Sequence, residues 1–176
     1  WVKEAFNEEF WYEEGGYLYD VIGGDFKDAT LRPNQIFAVS LPFTMLDIEK
    51  EKSIVRVLKD SLYVGLGLRS LDPEDENYQG IYQGDFDKRD RAYQGAAWGF
   101  LLGAFIESYL KVGGGSAQTI EEAKAMFEPI EQHLVSNCIG TVSEVFDGDE
   151  PHNSRGCFAQ AWSVGEILRA YALLNK

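Results

Sequence analysis

Charge is spread unevenly along this chain, and the unevenness is regular. Residues 1–12 carry four charges, 33–46 none, 48–62 seven, 95–111 two, 119–135 five and 157–174 two. A helix with one apolar stripe faces solvent on its other side, whereas a helix apolar nearly all round is enclosed by protein. The alternation predicts six helices, solvated and enclosed in turn. In the solvated set, Ile120, Ala123, Phe127, Ile130 and Leu134 keep helical spacing behind a capping box at Thr119 and Glu122. In the enclosed set, Trp98, Leu101, Leu102, Phe105 and Tyr109 form one face, and Phe158, Ala161, Trp162, Gly165 and Leu168 form another. Pro42 and Pro129 fall inside helical patterns and blur their ends.

The expected class is all-α, built from αα-hairpins in two layers, as a single domain over residues 1–176. The connections are asymmetric. Enclosed-to-solvated links are short, at Asp47 and around Gly113–Gln118, as helix–helix connections usually are. Solvated-to-enclosed links are long: 13–32, 63–94 and 136–156. Loops beyond about fifteen residues are usually functional. In this topology all three emerge at the N-termini of the enclosed helices and build one face.

The loops carry the chemistry. The first holds Tyr17, Tyr19, Asp20, Asp25, Arg32 and Asn34. The second holds Arg69, Tyr78, Tyr82, Asp85, Asp90, Tyr93 and Gln94 before Trp98, and the third holds Glu144, Asp147, Asp149 and His152 before Trp162. Aromatics interleaved with carboxylates and amides suit a carbohydrate, whose apolar faces stack on rings and whose hydroxyls each need a placed donor or acceptor. Glycoside hydrolysis needs two carboxyl groups across the scissile bond. Glu144 is the favoured base, because the apolar stretch CIGTVS before it can hold it rigidly. Asp147 and Asp149 flank Gly148 and read as turn formers. Asp20 and Asp90 are possible partners that pattern alone does not rank against Asp25 and Asp85.

Composition narrows the alternatives. A formal charge of −13 argues against a nucleic-acid surface and against anionic membranes. No apolar run reaches the length of a membrane span. Cys138 and Cys157 read as two buried free thiols in a cytoplasmic protein. His133 and His152 lack metal-ligand spacing, and no phosphate-cradling glycine motif is present, so no metal or cofactor is expected. There is no initiator Met, and the chain is expected to be a piece of a longer one.

Three segments, TLRPNQIFAVSLPF (30–43), GLRSLDPEDENYQGIYQGDFDKRDRAYQGAAW (67–98) and SEVFDGDEPHNSRGCFAQAWSVGEILRA (143–170), together resemble the C-terminal amylo-α-1,6-glucosidase domain of glycogen debranching enzymes. The resemblance implies a toroid of six αα-hairpins, of which this chain is about half. It implies inverting hydrolysis of an α-1,6-linked glucosyl stub, with the general base at Glu144 and the general acid upstream of Trp1. Arg32, Asn34, Asp90 and Trp162 fall in segments that match the family's cavity wall. Asp20, Tyr93, Gln94 and Trp98 complete the expected substrate-binding set. The chain departs from the family at Tyr93-Gln94-Gly95, where the family carries a His, and at Trp98-Gly99-Phe100, where it carries a Trp-Pro-Trp run. A half toroid exposes the edges of its inner helices, so self-association, or cover by the missing N-terminal part, is expected. A non-catalytic saccharide-binding module and a purely structural fragment are the competing readings.

Overall fold

The computed structural model describes residues 1–137 and 139–175. It contains eight α-helices and eight short β-strands among those residues. The all-α expectation is therefore corrected: the long loops fold into strands. Cys138 lies outside the described residues. Cys157 is exposed rather than buried, because it sits on the loop that leads into the last helix and not within that helix.

The helix α1 (Val2–Phe10) is followed by two hairpins, β1 (Trp11–Tyr12) with β2 (Tyr17–Leu18) and β3 (Val21–Gly23) with β4 (Phe26–Asp28). A 3-10 turn at Pro33–Gln35 then opens α2 (Ile36–Ser40). The predicted helix over 33–46 is cut short by Pro42. Proline disfavours the helical conformation in the residue before it, and Leu41 is extended, at φ −67° and ψ 150°.

Next comes α3 (Ile48–Ser61), capped by Asp47, whose side chain accepts from the Lys50 amide at 3.0 Å. It buries Ile54, Val55 and Leu58, as its stripe requires. Its Glu51 is also buried and pairs with Lys111 at 2.7 Å.

Beyond α3 lie β5 (Leu68–Arg69), α4 (Phe86–Arg91) and β6 (Ala97–Trp98), and then α5 (Leu101–Val112). As its near-chargeless sequence predicts, α5 is enclosed on almost every side, with Leu101, Leu102, Ala104, Phe105, Ile106 and Ser108 all buried. The solvated segment 119–135 forms two helices, α6 (Ala117–Ala125) and α7 (Glu128–Ser136). Pro129 starts the second because a proline inside a continuous helix would lack its N–H and clash with the preceding turn. The cap of α6 is Ser116, which accepts from the Thr119 amide, and not the expected Thr119–Glu122 box.

The chain closes with β7 (Val145–Phe146), β8 (Ser154–Arg155) and α8 (Ala161–Leu174). Helices α5 and α8 pack closely at Gly103, where an added Cβ would lie 2.5 Å from Glu166 Oε2. Arg169 on α8 adds a bond of 2.6 Å to Glu107 on α5.

The prediction that α8 is enclosed all round is corrected. It buries only Ser163, Ile167 and Ala170. The face expected to be covered holds Trp162 at 50 %, Leu168 at 61 % and nearby Tyr171 at 54 % exposure. Among the described residues, aromatic neighbours touch only its edges, Phe100 on Trp162 and Phe127 on Tyr171, and leave the three half exposed or more. Among the described residues, no helix is long and apolar enough to cross a membrane.

Candidate functional site

The long connections meet at one face, as expected, and they meet through a sheet. Strands β5, β6, β7 and β8 form one antiparallel sheet in that order. Trp98 pairs with Leu68 on one side and with Val145 on the other, and Val145 pairs in turn with Arg155. The second and third connections are thereby locked in register. The first is tied in by side chains. Arg32 donates through Nη1 to the Ser70 carbonyl at 3.2 Å and through Nη2 to Gln94 Oε1 at 2.8 Å, while its Nε faces Asp20 at 3.6 Å. Asn34 Nδ2 donates to Asp20 Oδ1 at 3.2 Å. Four residues singled out in the sequence, Asp20, Arg32, Asn34 and Gln94, thus form one hydrogen-bonded string.

The string borders an aromatic cluster. Tyr93 stacks on Trp98 with centroids 5.6 Å apart and an interplanar angle of 20°. Trp162, in the first turn of α8, meets Trp98 edge-on at 6.2 Å and stacks with Phe100 at 4.9 Å. Arg32, Asn34, Ser70, Trp98, Phe100 and Trp162 line a cavity of about 270 Å³. One end is ionic and amide, the other aromatic, so the cavity can grip hydroxyls while stacking a ring face.

Glu144 sits one residue before Val145, the cross-strand partner of Trp98. It is held from both ends by Cys157. The Glu144 amide donates to the Cys157 carbonyl at 2.8 Å, and the Cys157 amide donates to Glu144 Oε2 at 2.8 Å. Gly156 makes this wrap possible. Its φ of +67° is in the left-handed region, and an added Cβ would lie 2.5 Å from Glu144 Oε2. The Tyr93 phenol is pushed up to about 12, first by its hydrogen bond to Tyr82, then by burial and by the negative charges of Tyr82, Glu144 and Asp90. Glu144 and Asp90 therefore both act on the ring that stacks against Trp98.

Five expected residues, Asp20, Asp90, Tyr93, Gln94 and Glu144, stand apart from the cavity lining. The Asp20 carboxylate is committed to Arg32 and Asn34 behind it. Asp90 belongs to α4 and reaches the cluster through Tyr93 alone. Reading Asp147 as a turn former is corrected: it is fully buried and accepts from the Tyr82 amide at 2.8 Å and from Arg155 Nε and Nη2 at 3.0 and 2.8 Å. The cause is the β7–β8 hairpin, which places Arg155 beside it, a pairing visible in the sequence only once the hairpin is known. Asp149 is also more than a turn residue, since it accepts from the Tyr78 hydroxyl at 3.0 Å. Sequence reasoning did not single out Ser70 or Phe100 for the site. The only available signal was the position of Phe100 two residues after Trp98. Among the described residues, no group of three or more His, Cys, Asp or Glu is placed to hold a metal.

The comparisons agree with this architecture. The chain is 29% identical over 94 residues to a glycogen debranching enzyme of Saccharomyces cerevisiae, covering 49% of this chain and 6% of that protein. Its fold matches a mannosylglycerate hydrolase from Thermus thermophilus solved with glucose, at a TM-score of 0.65 and 14% identity, over 96% of this chain and 36% of the other. It also matches the neutral trehalase of Saccharomyces cerevisiae, at a TM-score of 0.63 and 15% identity, over 98% of this chain and 30% of the other. The chain thus spans only a small part of the curated relative and about a third of each of these structures. The profile of the amylo-alpha-1,6-glucosidase family matches residues 1–169, and the chain belongs to that glycoside hydrolase family.

Proposed function

We propose that this chain supplies the sugar-gripping wall and the general base of an inverting glycosidase that hydrolyses α-1,6-glucosidic branch points in glycogen or a related α-glucan. The observation that carries the proposal is the location of Glu144. Its carboxylate is pinned one residue from the strand position that faces Trp98. A glucosyl ring stacked on Trp98 and Trp162, with its hydroxyls on Arg32 and Asn34, would present its anomeric carbon toward that rim. Glu144 would then take a proton from the attacking water while an acid on the opposite side protonates the leaving oxygen. Inverting pairs stand about 6.5–9.5 Å apart, which leaves room for the water. The acid is assigned to sequence upstream of Trp1, and the uncovered face of α8 to contact with the rest of that ring. A cytoplasmic location belongs to the same proposal.

The test is Glu144→Gln in the whole enzyme. The amide keeps the shape and cannot accept the proton. Glucose release from a branched limit dextrin should be abolished while saccharide binding persists. Near-normal turnover would remove Glu144 from the role.

A second reading, a saccharide-binding wall without catalysis, is favoured by one observation: Gln94 stands where the family places its Tyr-His-Gln run and is occupied by Arg32. Binding without hydrolysis by the whole wild-type enzyme would support it.

A further inference from the structure

A larger cavity than the aromatic one lies elsewhere. It encloses about 590 Å³ between α7 and the 151–155 segment and shares no lining residue with the aromatic cavity. That volume lies in the range of small-molecule sites, about 300–1,000 Å³. Its polar wall includes Gln132, His152, Asn153, Ser154 and Arg155. The sequence contains 29 acidic residues, yet none of the lining residues described is one. A cavity left to general surface composition in so acidic a chain would carry carboxylates.

The backbone singles out the same wall. His152 has a φ of 58° and is the only non-glycine residue with positive φ among those described. Such a conformation persists where surrounding contacts impose it. Its Nδ1 lies 3.0 Å from the Asp147 carbonyl. A carbonyl only accepts, so Nδ1 carries the proton. Arg155 gives Nε and Nη2 to Asp147, and Nη1 makes no recorded bond among the described residues. Gln132 and Asn153 each supply a donor and an acceptor through one amide, and Ser154 does so through its hydroxyl.

This mixed inventory selects the ligand. An oxyanion needs donors alone and would leave the amide oxygens of Gln132 and Asn153 unmatched, whereas a sugar hydroxyl both donates and accepts. We infer that the cavity between α7 and β8 is a second, non-catalytic site for a neutral saccharide, with the glucan identity resting on the function proposed above. The described lining has no Tyr, Trp or Phe on which a ring could stack, so the site is weak alone. On a branched polymer, it would add to the catalytic site by raising effective concentration.

The experiment is an amide-resolved NMR titration of the whole enzyme, segmentally labelled over these 176 residues, with maltotriose. The amides of Gln132, Asn153 and Ser154 should shift along one curve, and those of Arg32, Asn34 and Trp98 along another. The double variant Gln132→Ala, Ser154→Ala should weaken the first curve at least about threefold and leave the second unchanged. Gln132 is exposed on α7, and its side chain makes no recorded hydrogen bond, so its replacement spares the fold. Shifts confined to the Arg32, Asn34 and Trp98 set would overturn this site and leave the proposed function standing. Movement of neither set would overturn both. Inorganic phosphate moving the first set where maltotriose does not would make it an oxyanion site and overturn the inference.

Discussion

Gly156→Ala is the sharpest perturbation of the site. The added Cβ would lie 2.5 Å from Glu144 Oε2, 3.1 Å from Glu144 Cβ and 3.2 Å from Cδ. Ordinary contact begins at 3.4 Å, so the carboxylate must retreat by roughly 0.9 Å or the 155–157 segment must open. The left-handed φ of +67° adds about 1–2 kcal/mol of backbone strain for a residue with a Cβ. Either way, the Cys157 amide no longer fixes Oε2. Misplacement of a catalytic group by about 1 Å can cost on the order of 100-fold in rate. The cavity residues Arg32, Trp98 and Trp162 do not touch Gly156 and keep their places. In the whole enzyme, kcat for glucose release should fall about 100-fold while KM stays within about twofold. Stability should fall by no more than about 2 kcal/mol, read by urea unfolding. The reasoning is refuted if the folded variant keeps kcat within about threefold of wild type, because Glu144 would then not need the Gly156–Cys157 wrap.

Three further outcomes follow from the packing. Asp147→Asn should destabilise the chain by about 3 kcal/mol in urea unfolding, since it leaves Arg155, partly screened by solvent, without its carboxylate; a loss under about 1 kcal/mol would make the pair marginal. Burial holds the His133 imidazole below its usual 6.5, so the unfolded chain binds the proton first. Its contribution is therefore fully present above pH 6.5 and lost as pH falls toward the lower folded value, and thermal melts between pH 7.5 and 5.5 should show a decline that His133→Gln flattens. Leu168→Glu with Tyr171→Glu should raise the monomer fraction of the isolated chain in sedimentation, and unchanged association would place the sticky surface elsewhere.

The fold was legible where one signal ruled and illegible where two competed. The enclosed helix α5 and the stripe of α3 were plain because burial alone sets their periodicity. The break at Pro129 and the stop at Leu41 were local proline chemistry masked by apolar residues on both sides. The apolar face of α8 was read as enclosed, yet it is exposed among the described residues. A sequence reports that a face wants cover; it does not report whether the cover lies in the same stretch of chain. The alternation rule therefore measured demand for burial, and α8 is where demand and supply part.

The site shows the same division. Arg32, Asn34, Trp98 and Trp162 stand beside helix starts, which the topology sends to one face, and Arg32, Asn34 and Trp162 were singled out through the segments that carry the family resemblance. Glu144 was favoured from the apolar run before it and from the family motif. Its neighbours were not, because two-residue strands carry too little periodicity to be seen: β5, β6, β7 and β8 contribute two residues each. Yet those four strands join the second and third connections into one floor, and their register decides what Glu144 stands beside. A one-residue slip of β7 against β6 would turn Val145 and Phe146 to the opposite faces and carry Glu144 away from Trp98. Asp147 opposes that slip, because its buried carboxylate is bonded at once to the Tyr82 amide from the second connection and to Arg155 from the third. The ion pair that reads in the sequence as a turn ties the strand beside Glu144 to the second connection, and so to the side of the aromatic wall.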